Sequence, residues 1–143
     1  MINSIIDGIS IKLNQEFGDS YGIYSEEIKQ GLNEPCFFIA FLRNGQTQVI
    51  GQRYFKEHFF DIHYFPKSVT DRNLELNEVA EELSDVLEYI TVNGDLIRGT
   101  NMNSEVVDGV LHFMVNFNLF VRREAVVEES MGDLAVTGTV RGD

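Results

Sequence analysis

The apolar residues at the start of the chain recur at intervals of three and four positions. This spacing places them on one face of a helix. Gly18 follows them, at the position where many helices end with a residue in the left-handed conformation. The sequence therefore predicts a first helix, whose apolar face consists of Ile2, Ile5, Ile6, Ile9, Leu13 and Phe17.

Two segments further along are typical of strands. Residues 36–42 form an apolar run rich in aromatic residues and too short for a buried helix. Residues 52–65 carry aromatic and β-branched side chains up to Pro66, which ends the run. Asn44-Gly45 between them is a turn signal, so we predict that the two strands form a hairpin.

A second helical stripe follows, with Asn73 as its predicted N-terminal cap and acidic residues in its first turn, where they suit the helix dipole. Its apolar members are Leu76, Val79, Ala80, Leu83, Val86, Leu87 and Ile90.

The last pair of predicted strands covers residues 96–102 and 110–122, joined by a polar connection at 104–109. Apolar and polar residues alternate along 113–122, as expected for a sheet with one buried face. Four strands in adjacent pairs and two helices predict an α+β fold with a mostly antiparallel sheet and both helices packed on one face. We assign residues 1–126 to this domain and 127–143 to an extended C-terminal tail, interrupted by glycines, that awaits a partner.

Composition agrees with one ordered domain, since 43% of the 143 residues are apolar. The net charge of −12 disfavours binding to nucleic-acid backbones, which depends on clustered Lys and Arg. A single cysteine, Cys36, excludes a disulfide framework within the chain and fits a reducing compartment. No basic leader and no long apolar run is present in the sequence, so we expect a soluble protein made in the cytoplasm and no membrane partner.

The acidic residues are unevenly distributed. Residues 75–88 contain six acidic residues and no basic residue, which is half of the net charge. Like charges three or four positions apart on a helix are unfavourable by a few tenths of a kcal/mol per pair. The segment is either a solvated face that a well-packed helix tolerates, or a surface that meets a basic partner or repels a polyanion.

Few residues are candidates for metal binding or catalysis. Glu57, Asp61 and His63 share one side of the second strand and could hold a metal, with His58 on the other side, but a solvated sheet face is the favoured interpretation. His112 has no second histidine at metal spacing, and we interpret it as structural.

The remaining candidate residues are also explained by the fold, without a catalytic or binding role. Cys36 lies among apolar residues and is expected to be a buried, inert thiol. Gly99 and Gly109 fall in predicted turns and form no phosphate loop. The sequence therefore predicts no catalytic residue, no cofactor and no metal.

Two segments resemble the tail terminator proteins of tailed phages and related prophages. They are residues 30–39 (QGLNEPCFFI), which follow the first helix with Tyr24 between, and residues 59–66 (FFDIHYFP), which precede the acidic helix and a late Phe-rich strand. The similarity extends over residues 2–123. It is a similarity of pattern and order and includes no catalytic signature.

This resemblance implies a virion protein, made in the bacterial host, that forms a ring on the head-proximal end of the completed tail tube, with a hexamer as the expected form. There it would stop polymerisation and offer a surface to neck and head proteins. The implied partners are other copies of the chain, the tail tube, a sheath protein where the tail has one, and neck or head-completion proteins. Genomic DNA would pass through without specific binding, and no cofactor is implied.

The sequence also indicates candidate contacts, since a head-to-tail ring needs two different complementary patches on each subunit. We expect residues 96–110 and the tail 127–143 to contact other subunits or the tube, and some acidic groups to line the lumen and repel DNA. The candidate interface or lumen residues are Glu78, Glu82, Asp85, Arg98 and Asn101.

Three other functions stay open from the sequence. The chain could be another neck or head-completion connector. It could be a small metal-dependent hydrolase that uses Glu57, Asp61 and His63. It could also be an acidic adaptor that binds one basic protein.

Overall fold

A computed structural model describes residues 1–25 and 33–122. The first helix, α1, extends over Ile2–Phe17, as its apolar spacing predicts. Ile5, Ile9 and Leu13 on its inner face are fully buried. Gly18 ends the helix with a φ of 94°, a value that a residue with a side chain adopts only at a cost.

The described residues contain a second helix and six strands rather than the four predicted. In chain order these elements are β1 (Gly22–Tyr24), β2 (Cys36–Gln48), β3 (Arg53–Phe65), α2 (Arg72–Val86), β4 (Tyr89–Val92), β5 (Asp95–Val107) and β6 (Val110–Arg122). The six strands form one sheet in the order β1-β2-β3-β6-β5-β4. The fold class, α+β with two helices, is as predicted.

The two strands that the sequence did not predict are short and lie at the two ends of the strand order. β1 has three residues and pairs with β2 in parallel, which makes the sheet mixed and not purely antiparallel. β4 has four residues and pairs antiparallel with β5. Ile90, which we assigned to the second helix, belongs to β4 and pairs with Ile97.

The predicted turn at Asn44-Gly45 is wrong, because β2 continues through both residues to Gln48. The chain reverses after Val49, whose N–H donates to the carbonyl of Arg53, and Gly51 supplies the positive φ of 58°. Continuing the strand adds backbone hydrogen bonds to the ladder, and this outweighs a local preference for turning. The hairpin itself, with β2 next to β3, is confirmed.

The predicted polar connection at residues 104–109 is wrong for the same reason. β5 continues to Val107, and the turn consists of Asp108 and Gly109, with φ of 53° and 76°. Two positive φ angles are the requirement of the tight hairpin turn that suits twisted strands. Gly109 is therefore in a turn as predicted, whereas Gly99 lies inside β5.

The predicted cap of α2 is also wrong. The helix begins at Arg72, so Asn73 lies within its first turn, and Asp71 occupies the cap position without a side-chain hydrogen bond.

Both helices cover the same face of the sheet. Phe17 of α1 packs on Phe37 of β2, with ring centroids 4.8 Å apart, and Phe37 packs on Tyr64 of β3. Tyr64 in turn donates a hydrogen bond to Glu75 of α2. α1 also contacts α2 directly. Alternation along the strands places the neighbours of these buried residues, such as His63, on the opposite face.

The chain divides into two compact units. The first contains Met1–Arg43 and His58–Asn118, with both helices and the core described above. Of the described residues, the second contains Asn44–Glu57, the outer half of the β2–β3 hairpin, together with residues 119–122. The predicted tail at 127–143 and its boundary lie outside the described residues. None of the described helices is long and apolar enough to cross a membrane.

Candidate functional site

The acidic face of α2 is exposed to solvent along its length. The opposite side of the helix buries Leu76, Val79, Leu83 and Val86 in the core. Its exposed acidic residues, which we call the acidic face, are Glu78, Glu81, Glu82 and Asp85, continued by Glu88 just beyond the helix. Among the described residues, Glu88 is the only one of these five that forms an ion pair. The face therefore presents a nearly uncompensated negative surface.

Glu75 does not belong to this face. Its carboxylate accepts hydrogen bonds from the Tyr64 hydroxyl and from the backbone N–H groups of Lys67 and Ser68, the last two at 2.8 Å. Burial opposes the charged form, but these hydrogen bonds outweigh it and lower the pKa of Glu75. Burial and the contact with Glu75 raise the pKa of Tyr64. Glu75 thus anchors the loop between β3 and α2. The acidic face therefore contains five of the six acidic residues of segment 75–88.

Arg98 and Asn101, the two predicted contact residues on β5, lie in different settings. Arg98 is exposed and is paired across the strands with Tyr89. Its guanidinium lies 3.8 Å from Glu88, at the end of the acidic face. Asn101 is exposed, has a φ of 52°, and sits where the register between β5 and β6 shifts between Thr100 and Asn103. Arg98 therefore borders the acidic face, whereas Asn101 lies at the irregularity that bends the strand.

The outer part of β5 has an open edge. β4 pairs only with Asp95–Arg98, so within the described residues the strand from 100 to 107 has β6 on one side and no strand on the other. Val106 and Val107 near its end are 46% and 44% exposed. Unpaired N–H and C=O groups beside exposed valines can accept another strand. We call residues 100–107 the β5 edge.

The β2–β3 hairpin, in the second unit, exposes apolar side chains at its tip. Val49 is 47% and Ile50 is 73% exposed. Further along the same unit, Phe55 packs on Phe120 with ring centroids 5.0 Å apart, and the Arg53 guanidinium lies 5.3 Å from the Phe120 ring. Phe120 is itself 57% exposed. Clustered exposed apolar groups mark interaction sites more often than isolated ones do.

The hairpin tip was not predicted, because Asn44-Gly45 placed the expected turn before the end of β2. The pair Val49-Ile50 directly before Gly51 is the signal that could have revealed it, since apolar residues at a turn have no strand neighbour to bury them.

Three ligand-type side chains meet on the sheet face opposite the helices. Asp61 and His63 come from β3, and His112 comes from the adjacent β6. His63 Nε2 and His112 Nδ1 each lie 3.1 Å from Asp61 Oδ2. The two imidazole rings are 4.3 Å apart between centroids. We call these three residues the Asp-His-His cluster.

The Asp-His-His cluster corrects two of our expectations. His112 was interpreted as structural because the sequence has no second histidine at metal spacing from it, yet its Nδ1 lies 3.1 Å from Asp61 Oδ2 and its ring packs on His63. Glu57, which we grouped with Asp61 and His63, is not part of the cluster and belongs to the second unit. His58 points to the buried face, where its Nδ1 lies 3.0 Å from the carbonyl oxygen of Phe117.

Cys36 is buried, as its apolar sequence setting predicts. Burial and, to a smaller extent, the nearby Glu34 raise the pKa of its thiol to about 11. Because the thiolate is the nucleophilic form, a neutral buried thiol is unreactive.

Comparison with known proteins shows that the chain is similar to a known family. A family model described as "Phage tail terminator protein" matches residues 4–129 of the chain. No curated protein matches it. One similar solved structure has 10% sequence identity and a TM-score of 0.45, over 89% of this chain and 99% of that chain.

Proposed function

The chain belongs to the phage tail terminator family and has a structural role in the phage tail, and from this premise we propose that it caps the head-proximal end of the tail tube as a ring. In that position it stops tube polymerisation and gives neck and head proteins a surface to join. We propose six subunits for the ring. Its partners are then its own copies, the tube, a sheath protein where one is present, and the neck proteins.

The observation that carries this proposal is that each subunit exposes two different surfaces suited to association. One is the β5 edge, which no second strand of the described residues pairs, with the exposed Val106 and Val107 near its end. The other is the apolar tip of the β2–β3 hairpin at Val49 and Ile50. A ring built by head-to-tail contacts requires two unlike, complementary surfaces on every subunit, whereas a two-fold dimer requires only one.

Electron microscopy of the purified protein mixed with tail tubes tests the proposal directly. We expect a ring at one end of each tube, and light scattering should give a discrete oligomer when rings form. Density at the portal side of heads, with bare tube ends, would instead identify a neck or head-completion connector. Tubes that continue to grow in the presence of the protein would contradict the capping function.

Substitutions at the hairpin tip test whether it forms subunit contacts. Ile50→Asp places a charge on an exposed apolar residue and should abolish the ring while leaving the fold intact. Val69→Asp is the matched control, because Val69 is 81% exposed and lies on neither surface. If Ile50→Asp still formed normal rings, the tip would not be a subunit interface.

The acidic face is proposed to line the lumen, where it repels passing DNA. Glu78, Glu82 and Asp85 support this placement, because they are exposed and no cation of the described residues pairs with them. Replacing all three by Gln should leave ring and tube binding unchanged and alter DNA passage or retention. Loss of the ring in this variant would place the face at a protein interface instead.

A further inference from the structure

We propose that Asp61, His63 and His112 form a binding site for a divalent transition-metal ion of the Zn²⁺ type. The site goes beyond the proposed capping function. Its three ligands come from neighbouring strands that are separated in sequence, so an ion bound here would link β3 to β6.

The spacing of the ligand atoms fits such an ion. Nitrogen and oxygen ligands at about 2.0–2.1 Å from a tetrahedral Zn²⁺ lie about 3.3 Å from one another. In the structure both imidazole nitrogens lie 3.1 Å from Asp61 Oδ2, and all three ligand atoms lie within 4.8 Å of one another. Small rotations of the two rings would therefore turn both nitrogens toward a common ion. A nitrogen that binds the ion carries no proton, so the N–H proton of each ring would then lie on its other nitrogen.

The carboxylate of Asp61 also has an unused ligand atom. Oδ1 is buried and has no hydrogen-bond partner among the described residues. A buried carboxylate oxygen without a partner is costly, and a cation bound at the carboxylate would offset that cost. The side chain of Asp61 is only 13% exposed, and those of His63 and His112 are 24% exposed.

The surroundings hold the ligands in place and add negative charge. Phe38 packs on His63 with ring centroids 5.8 Å apart, which restricts the orientation of the imidazole. Glu105 on β5 pairs directly with His112, and residues opposite each other in antiparallel strands project to the same face. A second carboxylate therefore lies on the side of the sheet where the ion would bind.

The ligand set determines the class of metal. Two imidazoles and one carboxylate suit Zn²⁺ and neighbouring ions such as Co²⁺, whereas Ca²⁺ and Mg²⁺ prefer oxygen ligands alone. Three protein ligands leave the fourth position of a tetrahedral ion for water or for a group from outside the chain.

Metal titration of the untagged protein, after dialysis against a chelator, tests the site. Calorimetry should show one Zn²⁺ per chain, and Co²⁺ should give the visible absorption bands of a tetrahedral complex. His63→Ala and His112→Ala should each weaken binding by at least about 10- to 100-fold, the loss typical even of residues that only support a ligand. Glu57→Gln is the control and should bind like the wild type.

Circular dichroism and thermal melting of the metal-free variants show whether each one folds. Where an alanine variant does not fold, His63→Gln or His112→Gln replaces it, since glutamine keeps a polar side chain of similar length. Zn²⁺ affinity unchanged in a folded His112 variant would overturn the proposal. Mg²⁺ binding as tight as Zn²⁺ binding would also overturn it. So would a loss of Zn²⁺ affinity in Glu57→Gln as large as the loss in the histidine variants.

Discussion

The Tyr64 hydroxyl on β3 donates a hydrogen bond to the Glu75 carboxylate on α2, and this contact joins the sheet to the acidic helix. The same carboxylate accepts two backbone N–H groups from the loop between the two elements. Glu75, one of the six acidic residues of segment 75–88, therefore stabilises the fold and does not belong to the exposed acidic face.

Removal of this carboxylate should destabilise the protein. Glu75→Ala leaves the fully buried Tyr64 and two backbone N–H groups without their acceptor, which should lower the free energy of unfolding by about 1–3 kcal/mol. The matched control is Glu78→Ala, because Glu78 is exposed and should change stability by no more than about 0.5 kcal/mol. Urea denaturation measures both. Equal effects of the two substitutions would show that the hydrogen bonds of Glu75 contribute nothing.

The lowered pKa of Glu75 predicts acid sensitivity. A carboxyl group whose pKa is lower in the folded state contributes stability at pH values above its ordinary pKa of 4.5 and loses this contribution as the pH falls through the folded-state value. The wild type should therefore lose stability more steeply below pH 4.5 than Glu75→Ala does. Denaturant titrations across this range give the two slopes. Parallel slopes would contradict the assignment.

Gly99 should not tolerate a side chain. A Cβ atom at this position would lie 2.3 Å from the carbonyl oxygen of Leu87, at the close approach where the chain leaves α2. Gly99→Ala should therefore destabilise the protein by about 1–3 kcal/mol, as overpacked cores do. In Gly45→Ala the flexible Glu57 side chain, at 3.4 Å, is the only neighbour of the new Cβ among the described residues, and stability should change little. Thermal melts compare the two variants, and equal melting temperatures would contradict the prediction.

Neutralising one residue of the acidic face should stabilise the isolated subunit. Glu82 lies four positions after Glu78 and three before Asp85, so Glu82→Gln removes two like-charge pairs, each unfavourable by about 0.2–0.5 kcal/mol. Since salt screens exposed charges, the gain should shrink at high ionic strength. Chemical denaturation at low and high salt measures it. A loss of stability at low salt would mean that Glu82 has a favourable partner.

Cys36 should react slowly with thiol reagents in the folded protein. Its thiol is buried and has a pKa of about 11, so little thiolate forms at pH 8 and reagents have no access to it. Denaturant should increase the labelling rate by orders of magnitude. Rapid labelling of the native protein would show that the strand around Cys36 opens readily.

The sequence predicts the elements whose signal is local. The periodic spacing of Ile5, Ile9 and Leu13 corresponds to α1, and Pro66 marks the end of β3. The alternation along β6 predicts one buried face, which Phe113 and Val115 form. Each of these signals depends only on which side of its own segment meets the core, so neighbouring residues suffice to reveal it.

Tertiary structure decided what depends on partners distant in the sequence. β1 and β4 are too short to have a periodicity and exist because β2 and β5 pair with them. Ladder hydrogen bonds also carried β2 past the turn signal at Asn44-Gly45. His112 meets Asp61 only because β6 lies beside β3, a pairing across 51 positions. Periodicity reports which face of a strand is buried but not which strand lies next to it, and the Asp-His-His cluster depends on that neighbour.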